Sequence, residues 1–548
     1  MTRRKPAAPV FKPYPFGQMA LLPRQYDEFI PPDHLVRVVS DVIEKLDLRV
    51  LEAQYKGGGT SSYHPRMLLK VLVYAYSQKL YASRRIAKAV REQLPFLWLS
   101  GGQQPDFRTI NAFRSSRMKG VIDEVFASVL EYLVETGHVK LEHYFVDGTK
   151  VEADANKHKV VWRKRKETYE KRLRPQIQAL LQEIEQVNAT EQLAYGEKDL
   201  EEVGADAPAP ELTAGALKAK IAALNERLQA LLPSTPATAP AVEASPTAPA
   251  AETLQAAQQA LKKLEKDCLP RLEKYEQQTE TLAGRNSYAK TDPDASCMRM
   301  KEDRGAEKPW PKPAYNVQIG TEGQFIVGFS VHGQAGDPTC LIPHLEQVEQ
   351  NLGRLPAKII ADAAYGSEEN YAYVERHQLG NFLKYNTFYQ DTHHYRDPEK
   401  LRAHQFRAEH FRYDAATDEF ICPAEKRLTF TYESQYTTTN QYVTRRRHYA
   451  AADCDACPLK PQCTRAKGNR HIQISHKLLA FRKQARENLT SEEGLALRAA
   501  RSVEVETVFG HVKHNQGFRR FHLRGLMKVK TEWGLVSIAH NMQKLAGG

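Results

Sequence analysis

From residue 160 to 282 the chain is charged and rich in Ala, Gln and Leu, and this stretch stands between two regions that read as β-strands. Apolar residues recur in it at steps of three or four: Tyr169, Leu173, Ile177, Leu180, Ile184 and Val187, then Leu217, Ile221, Leu224, Leu228 and Leu231. A looser series continues through Leu254, Leu261, Leu264, Leu272 and Tyr275. Such spacing lines the apolar side chains along one stripe of a helix, so helical hairpins or coiled-coil-like elements are expected over 160–285. They are interrupted at 233–250 by PSTPATAPAVEASPTAPA, a low-complexity Pro/Ala linker with nothing from which to build a core. Any β-containing core on either side must therefore be assembled from pieces distant in sequence.

The strand signals fit that expectation. HYFVDGTKVEAD (143–154) is aromatic and β-branched and reads as a buried strand ending in a carboxylate, Asp147. AYNVQIGTEGQFIVGFSVHG (314–333) reads as two strands joined by a hairpin at Glu322-Gly323. A helix over 341–352, a short apolar strand ending in Asp362, a helix over 368–376 and a strand over 381–385 complete an α/β pattern, with the helical insertion after its first strand. The 41% hydrophobic share supplies cores, while no apolar run approaches the length of a membrane span, and seven cysteines are too few for a disulfide scaffold. The first residues carry basic charge without an apolar leader segment, so no secretory signal and a reducing compartment are expected.

The N-terminal part, 1–136, reads as all helical: a Pro-preceded run over 67–76, then SRRIAKAVREQL opening on Ser83 as N-cap, then PDFRTINAFRSSRMKG and a helix over 121–136. Lys and Arg outnumber Asp and Glu by 78 to 66, for a net charge of +12. Between residues 60 and 120 eleven basic residues face only Glu92 and Asp106. A helix-turn-helix-like DNA-binding unit that uses Arg84, Arg85, Arg108 and Arg114 is one reading; a solvated basic face on an ordinary bundle is the other.

Three groups could carry chemistry. Asp147 and Asp362, each closing a strand and each followed by a small residue, would project into the crevice where α/β sheets place their sites. A third carboxylate comes from RSVEVETVFGHVKHNQGFRRFHLRGLMKVK (501–530), where helical spacing puts Glu506 and Lys513 on one face, and where basic residues alternate with Phe509, Phe518 and Phe521. Carboxylates with open positions suit Mg²⁺ or Mn²⁺, and a pair of such ions supports in-line phosphodiester displacement. Finally, Cys422, Cys454, Cys457 and Cys463 have the spacing of a structural Zn²⁺ site, the alternative being four reduced thiols without metal; His448, His471 or His476 could replace one ligand. Cys268, Cys297 and Cys340 are scattered and read as inert.

The motifs FVDGTKVEADANK, KTDPDA with YNVQIGTEG, IIADAAYGSEENY and RSVEVETVFGHVKHNQGFRRFHLRG together resemble bacterial insertion-sequence transposases of the DDE class, in particular the IS eleven-eighty-two group. YHPRMLLKVLVYAYSQKLYASRRI and PDFRTINAFR resemble the helical domain that precedes their catalytic core. The resemblance covers nearly the whole chain and implies an RNase H-like core at 137–159, 286–415 and 480–548, with a zinc-binding subdomain at 416–479. It also implies metal-dependent cleavage at transposon ends, two Mg²⁺ (or Mn²⁺) ions per site, and strand transfer into target DNA. Asp147, Asp362 and Glu506 match the catalytic triad, and Lys513 the lysine that follows its Glu. The pattern departs at Leu497, where a Tyr is expected, which leaves Glu504 as a rival to Glu506. Arg501 would be a phosphate or carboxylate clamp, with Lys513, Arg519, Arg520 and Arg524 gripping phosphates. Double-stranded DNA, both terminal inverted repeats and target, is the implied partner. A homodimer or larger assembly on DNA and a cytoplasmic, nucleoid-associated location in bacteria are implied as well. The other functions open are a metal-dependent nuclease that never joins DNA and a catalytically inactive DNA-binding protein.

Overall fold

The fold was analysed in a computed structural model that describes residues 25–55, 62–195, 212–231, 248–303, 310–392 and 405–547. Its centre is a six-stranded mixed sheet made of β1 (His143–Glu152), β4 (Ser296–Met298), β5 (Lys312–Glu322), β6 (Phe325–His332), β7 (Lys358–Ala361) and β8 (Gly380–Leu383). β1 lies in the middle, antiparallel to β5 on one side and parallel to β7 on the other; β6 turns back along β5, and β8 extends β7 in parallel. The hairpin expected at Glu322-Gly323 is present, with Gly323 at φ 58° and Gln324 at φ 63°. Helices Leu341–Leu352 and Glu368–Arg376 have the expected bounds. This mixed α/β arrangement is consistent with the RNase H-like core implied by the resemblance.

The insertion is tethered by a two-stranded stem. β2 (Val160–Trp162) pairs antiparallel with β3 (Ser287–Ala289), and beyond it helix Arg163–Tyr195 departs as helix Leu269–Leu282 returns. The insertion has an apolar core of its own, drawn from Leu173, Ile177, Leu217, Ile221, Leu261, Leu264 and Leu272 among others, as the three-and-four spacing requires. The Pro/Ala linker lies outside the described residues except for 248–250, which open helix Ala248–Lys263.

The N-terminal helices behave differently from the expectation of a separate domain. Helices Leu35–Lys45, Pro65–Ser77, Ser83–Glu92 and Ile122–Glu135 share one continuous apolar core with the central sheet and with the C-terminal helix Leu526–Gly547. The Phe126 ring meets Phe329 of β6 edge-on at 4.9 Å, and both side chains are fully buried. Local signals still set the boundaries: Pro65 occupies the first turn of its helix and the His64 ring accepts the Arg66 N–H. Ser83 is one residue inside its helix, and the N-cap is Ala82, without a side-chain hydrogen bond.

Residues 412–474 form a second sheet, antiparallel throughout and ordered β13-β12-β11-β10-β9, from β9 (Arg412–Asp414), β10 (Glu419–Ile421), β11 (Arg427–Thr437), β12 (Val443–Ala451) and β13 (His471–Ile474). Its core is Phe411, Phe420, Leu428, Tyr449, Ile472 and Ile474 with Cys454 at the edge. The sequence reading assigned this region to cysteines alone; an ordinary hydrophobic core holds it too.

Because the N-terminal helices and the sheet share a core, Phe126→Ala is expected to lower the stability of the whole assembly by about 3–5 kcal/mol. The check is the urea midpoint followed by tryptophan fluorescence, Trp533 being buried in that core; an unmoved midpoint would mean that the helices are an independent unit.

Candidate active site

In the parallel pairing of β1 with β7, Val146 stands opposite Ala361, so Asp147 and Asp362 are the next residues on adjacent strands. β7 stops there. Asp362 becomes the cap of a short 3-10 turn, its Oδ1 accepting the Ala364 N–H at 2.9 Å. β1 instead continues to Glu152, paired on its other side with β5, so Asp147 lies in mid-strand rather than at a strand end as expected. The end of β7 opens the sheet beside it.

Asp147 is 8% exposed. Its Oδ1 accepts the Gly148 N–H at 2.7 Å, and its Oδ2 lies 3.7 Å from Nη1 of Arg501. Nη2 of Arg501 lies 3.7 Å from Oε1 of Glu506, so a single guanidinium stands between the first and third expected carboxylates. Arg501 Nη1 is buried and has no hydrogen-bond partner among the described residues. Burial pushes the Asp147 carboxyl above its ordinary range; the charge of Lys301 opposes this, that of Asp362 adds to it, and Arg501 opposes it.

The same stretch separates the two rival glutamates. Glu504 Oε2 accepts the Gln324 N–H at 2.7 Å at the β5–β6 turn, which occupies it structurally. Glu506 is exposed and beside Arg501. Two π-helical turns, Ser502–Glu506 and His511–Asn515, flank helix Thr507–Gly510. Wide turns shift side chains off the faces that regular α-helical spacing assigns.

Lys513 illustrates that shift. Expected to face phosphates, it is buried, donating to the Lys150 carbonyl at 2.8 Å and to Glu302 Oε1 at 2.9 Å. Arg520 and Arg524 also have a protein partner, since both hold Asp154, each at 2.9 Å. Arg519 is exposed and donates to the Lys513 carbonyl and to His514.

In the N-terminal helices Arg84, Arg85 and Arg108 are exposed, and the guanidinium groups of Arg84 and Arg108 lie 5.0 and 5.7 Å from the Phe107 ring centre. Arg114 is not available to DNA as expected: it is 3% exposed and donates to the Tyr76 hydroxyl at 2.9 Å and the Tyr81 carbonyl at 2.6 Å. Tyr76 in turn donates to Glu532, which is fully buried in the C-terminal helix. A buried guanidinium needs such partners, which explains its inward position.

Behind Asp147 lies a polar cluster that the motifs did not indicate. Asn316 and Gln318 of β5 donate to Asp337 Oδ1 at 2.8 and 3.2 Å, and the Tyr365 hydroxyl donates to Gln318 Oε1. Gly148 is opposite Gln318 in the β1–β5 register, and a Cβ there would come within 2.3 Å of the Gln318 amide and 2.8 Å of Asp337. Only glycine follows Asp147 without displacing that cluster. The one sequence signal for it was Asn316 and Gln318 alternating along an otherwise apolar strand.

Cys422, Cys454, Cys457 and Cys463 line one small pocket together with Pro423, Leu428 and Arg470, and all are free thiols. The Cys463 thiol is pushed up by burial, with the other three cysteines adding to the effect. Among the described residues no three His, Cys, Asp or Glu side chains are disposed, as they stand, to hold a metal ion. The donor sets nevertheless fit in kind: oxygens alone at Asp147, Asp362 and Glu506 for a hard divalent cation, and thiols around one pocket for zinc. Among the described residues no helix is long and apolar enough to cross a membrane.

Comparison with protein families gives two matches. Residues 421–546 match the Transposase DDE domain, and residues 24–116 match the Transposase domain (DUF772). The first takes in β11, β12 and β13 of the second sheet, the four cysteines, Glu506 and nearly all of the C-terminal helix; the second takes in the N-terminal helices through Arg114. Asp147 and Asp362 lie between them. No curated protein and no solved structure matches the chain. The chain thus carries transposase domains at both ends, consistent with an insertion-sequence DDE transposase, and these domains support a DNA transposase function.

If Arg114 is a core residue, Arg114→Ala should cost about 1–3 kcal/mol for each acceptor left unpaired, seen as a lower melting temperature. A variant of unchanged melting temperature that had lost DNA affinity would return Arg114 to the DNA surface.

Proposed function

We propose that this chain is a DNA transposase that cuts phosphodiester bonds at the ends of a mobile element and joins the freed 3′-hydroxyl to target DNA. Asp147, Asp362 and Glu506 are its reaction centre in this reading. The observation that carries it is the Arg501 guanidinium held between Asp147 and Glu506, with Asp362 next to Asp147 in the strand register.

Asp147, Asp362 and Glu506 would hold a pair of Mg²⁺ or Mn²⁺ ions. Those ions would supply activation of the attacking water or hydroxyl and stabilisation of the leaving oxygen. The chain's own residues account for the rest. Asp147, fixed by the Gly148 N–H, and Asp362, fixed by the Ala364 N–H, are held with little freedom to turn. Arg501, whose buried Nη1 lies 3.7 Å from Asp147 but makes no hydrogen bond, would give that donor to a non-bridging phosphate oxygen. Exposed Arg84, Arg85, Arg108 and Arg519 would contact the DNA backbone elsewhere. Work on paired element ends would require two or more copies of the chain.

The second part of the proposal is structural zinc at Cys422, Cys454, Cys457 and Cys463. It is supported by four thiols around one pocket at the edge of the second sheet. A closed thiolate site leaves no position for substrate, so its work would be to hold the 454–463 loop.

A plasmid carrying the gene with its flanking DNA, incubated with wild-type protein, is expected to be nicked at matched inverted ends in Mg²⁺ and not in EDTA, and to yield joined products. Asp362→Asn should lose cleavage by about a thousandfold or more while still binding the ends. Cleavage by Asp362→Asn at the wild-type rate would overturn the centre. Cut but never joined DNA would make the protein a nuclease, and end-specific binding without cutting a DNA-binding protein.

Cys457→Ser is expected to bind less zinc by elemental analysis and to melt at a lower temperature. Equal zinc content in the variant and the wild type would refute the thiolate site.

A further inference from the structure

The lysine that the motif places after Glu506 is sequestered, yet another lysine stands beside Asp147. Lys301, in the segment that leads from β4 toward β5, is exposed, and its Nζ lies 3.4 Å from the Gly148 carbonyl, next to Asp147. A contact of 3.4 Å is long for an ammonium donor, and two further N–H bonds remain for a ligand.

The next two residues hold Lys301 in place. Glu302 accepts from the buried Lys513 at 2.9 Å, and Asp303 pairs with Lys312 of β5 at 3.1 Å. Lys513 is fixed from the other side by the Lys150 carbonyl of β1 at 2.8 Å. Turning Lys513 toward DNA would break its ion pair with Glu302 and take the donor from the Lys150 carbonyl. Turning Lys301 toward DNA breaks one weak hydrogen bond.

We propose that Lys301 is the lysine that meets the scissile phosphodiester, and that Lys513 and Glu302 are positioning residues that fix the segment bearing it. This rests on Asp147, Asp362 and Glu506 being the reaction centre. Lys301 and Arg501 then approach the phosphate from two sides of Asp147, one from the 300–303 segment and one from the C-terminal helical stretch. The ammonium stabilises charge that grows on the non-bridging oxygens as the bond breaks.

The test uses the full chain and a duplex containing the junction cut by the wild type, made either with its native scissile phosphate or with an uncharged methylphosphonate there. Lys301→Ala is expected to cut about 10- to 100-fold more slowly. In EDTA, neutralising the phosphate should weaken wild-type binding more than binding by Lys301→Ala, in which only the Arg501 contact is left to lose. Equal losses in both proteins would mean that Lys301 does not meet that phosphate. Lys513→Glu and Glu302→Lys should each slow cutting, and the double exchange, which remakes the ion pair but not the bond to the Lys150 carbonyl, should restore part of it, an outcome that removal of a phosphate-binding lysine would not allow. Should the single exchanges fail to fold, Glu302→Gln with the same pair of duplexes reads the positioning role; undiminished sensitivity to the methylphosphonate and an unchanged rate would overturn it. Asp147→Asn run alongside separates the two claims. A dead Asp147→Asn beside a fully active Lys301→Ala overturns only the lysine, whereas an active Asp147→Asn, or a wild type that cuts nothing, removes the centre and the lysine together.

Discussion

The burial of the C-terminal helix Leu526–Gly547 is the constraint on which the rest of the structure depends. Residues 531–542 are buried without interruption, so the helix has no solvent face over three turns. A helix enclosed on all sides must find partners within the protein for its polar groups, although the Trp533 indole N–H has none among the described residues. Asn541 does so by pairing with both backbone groups of Ile326 on β6, His540 meets the Gln324 carbonyl, and Glu532 accepts the N–H groups of His522 and Leu523. Asn541 thus meets backbone groups that β6 would otherwise leave open, while the N-terminal helices cover the other sides. Helices from the two ends of the sequence and the sheet between them close over one element.

That arrangement ties the proposed reaction centre to both termini. The chain reaches Leu526–Gly547 through the 501–524 stretch, whose start supplies Arg501 and Glu506 and whose end lies along β1, with the Phe521 N–H donating to the Glu152 carbonyl. β1 carries Asp147. The guanidinium between Asp147 and Glu506 is therefore placed by two anchors, a buried helix on one side and a mid-sheet strand on the other, rather than by a loop. Side chains on such supports keep their geometry far better than side chains on loops.

Much of this was legible in sequence, and the exceptions share a cause. Periodicity located helices Leu341–Leu352 and Glu368–Arg376 and the β5–β6 hairpin, because alternation and turn chemistry are local properties. It put Asp147 at a strand end, whereas β1 runs on to Glu152. It placed Lys513 and Arg114 at the surface, since a basic residue reads as a surface residue until its partner is known. Those partners, Glu302 and Tyr76, are remote in the chain, and no spacing rule links them. The two π-helical turns defeated the seven-residue step from Glu506 to Lys513, because that step presumes an unbroken α-helix. Asp337 and Lys301 belong to no motif and become visible only when β5 and the 300–303 segment are laid beside β1. The second sheet was hidden behind its cysteines, which drew the reading to metal and away from Phe420, Tyr449 and Ile472.

The stem formed by β2 and β3 bears on how such a chain tolerates change. Val160 pairs with Ala289 and Trp162 with Ser287, and the Arg163 N–H donates to the Asn286 carbonyl, so the insertion leaves and re-enters the core through a single pair of adjacent strands. The ends of the excursion are joined independently of its length, and loop-closure entropy grows only logarithmically with the residues enclosed. Helical hairpins with their own core could thus be lengthened, shortened or exchanged while β1 and β5 keep their register. The insertion and the central sheet are cargo and frame, each with an apolar core of its own.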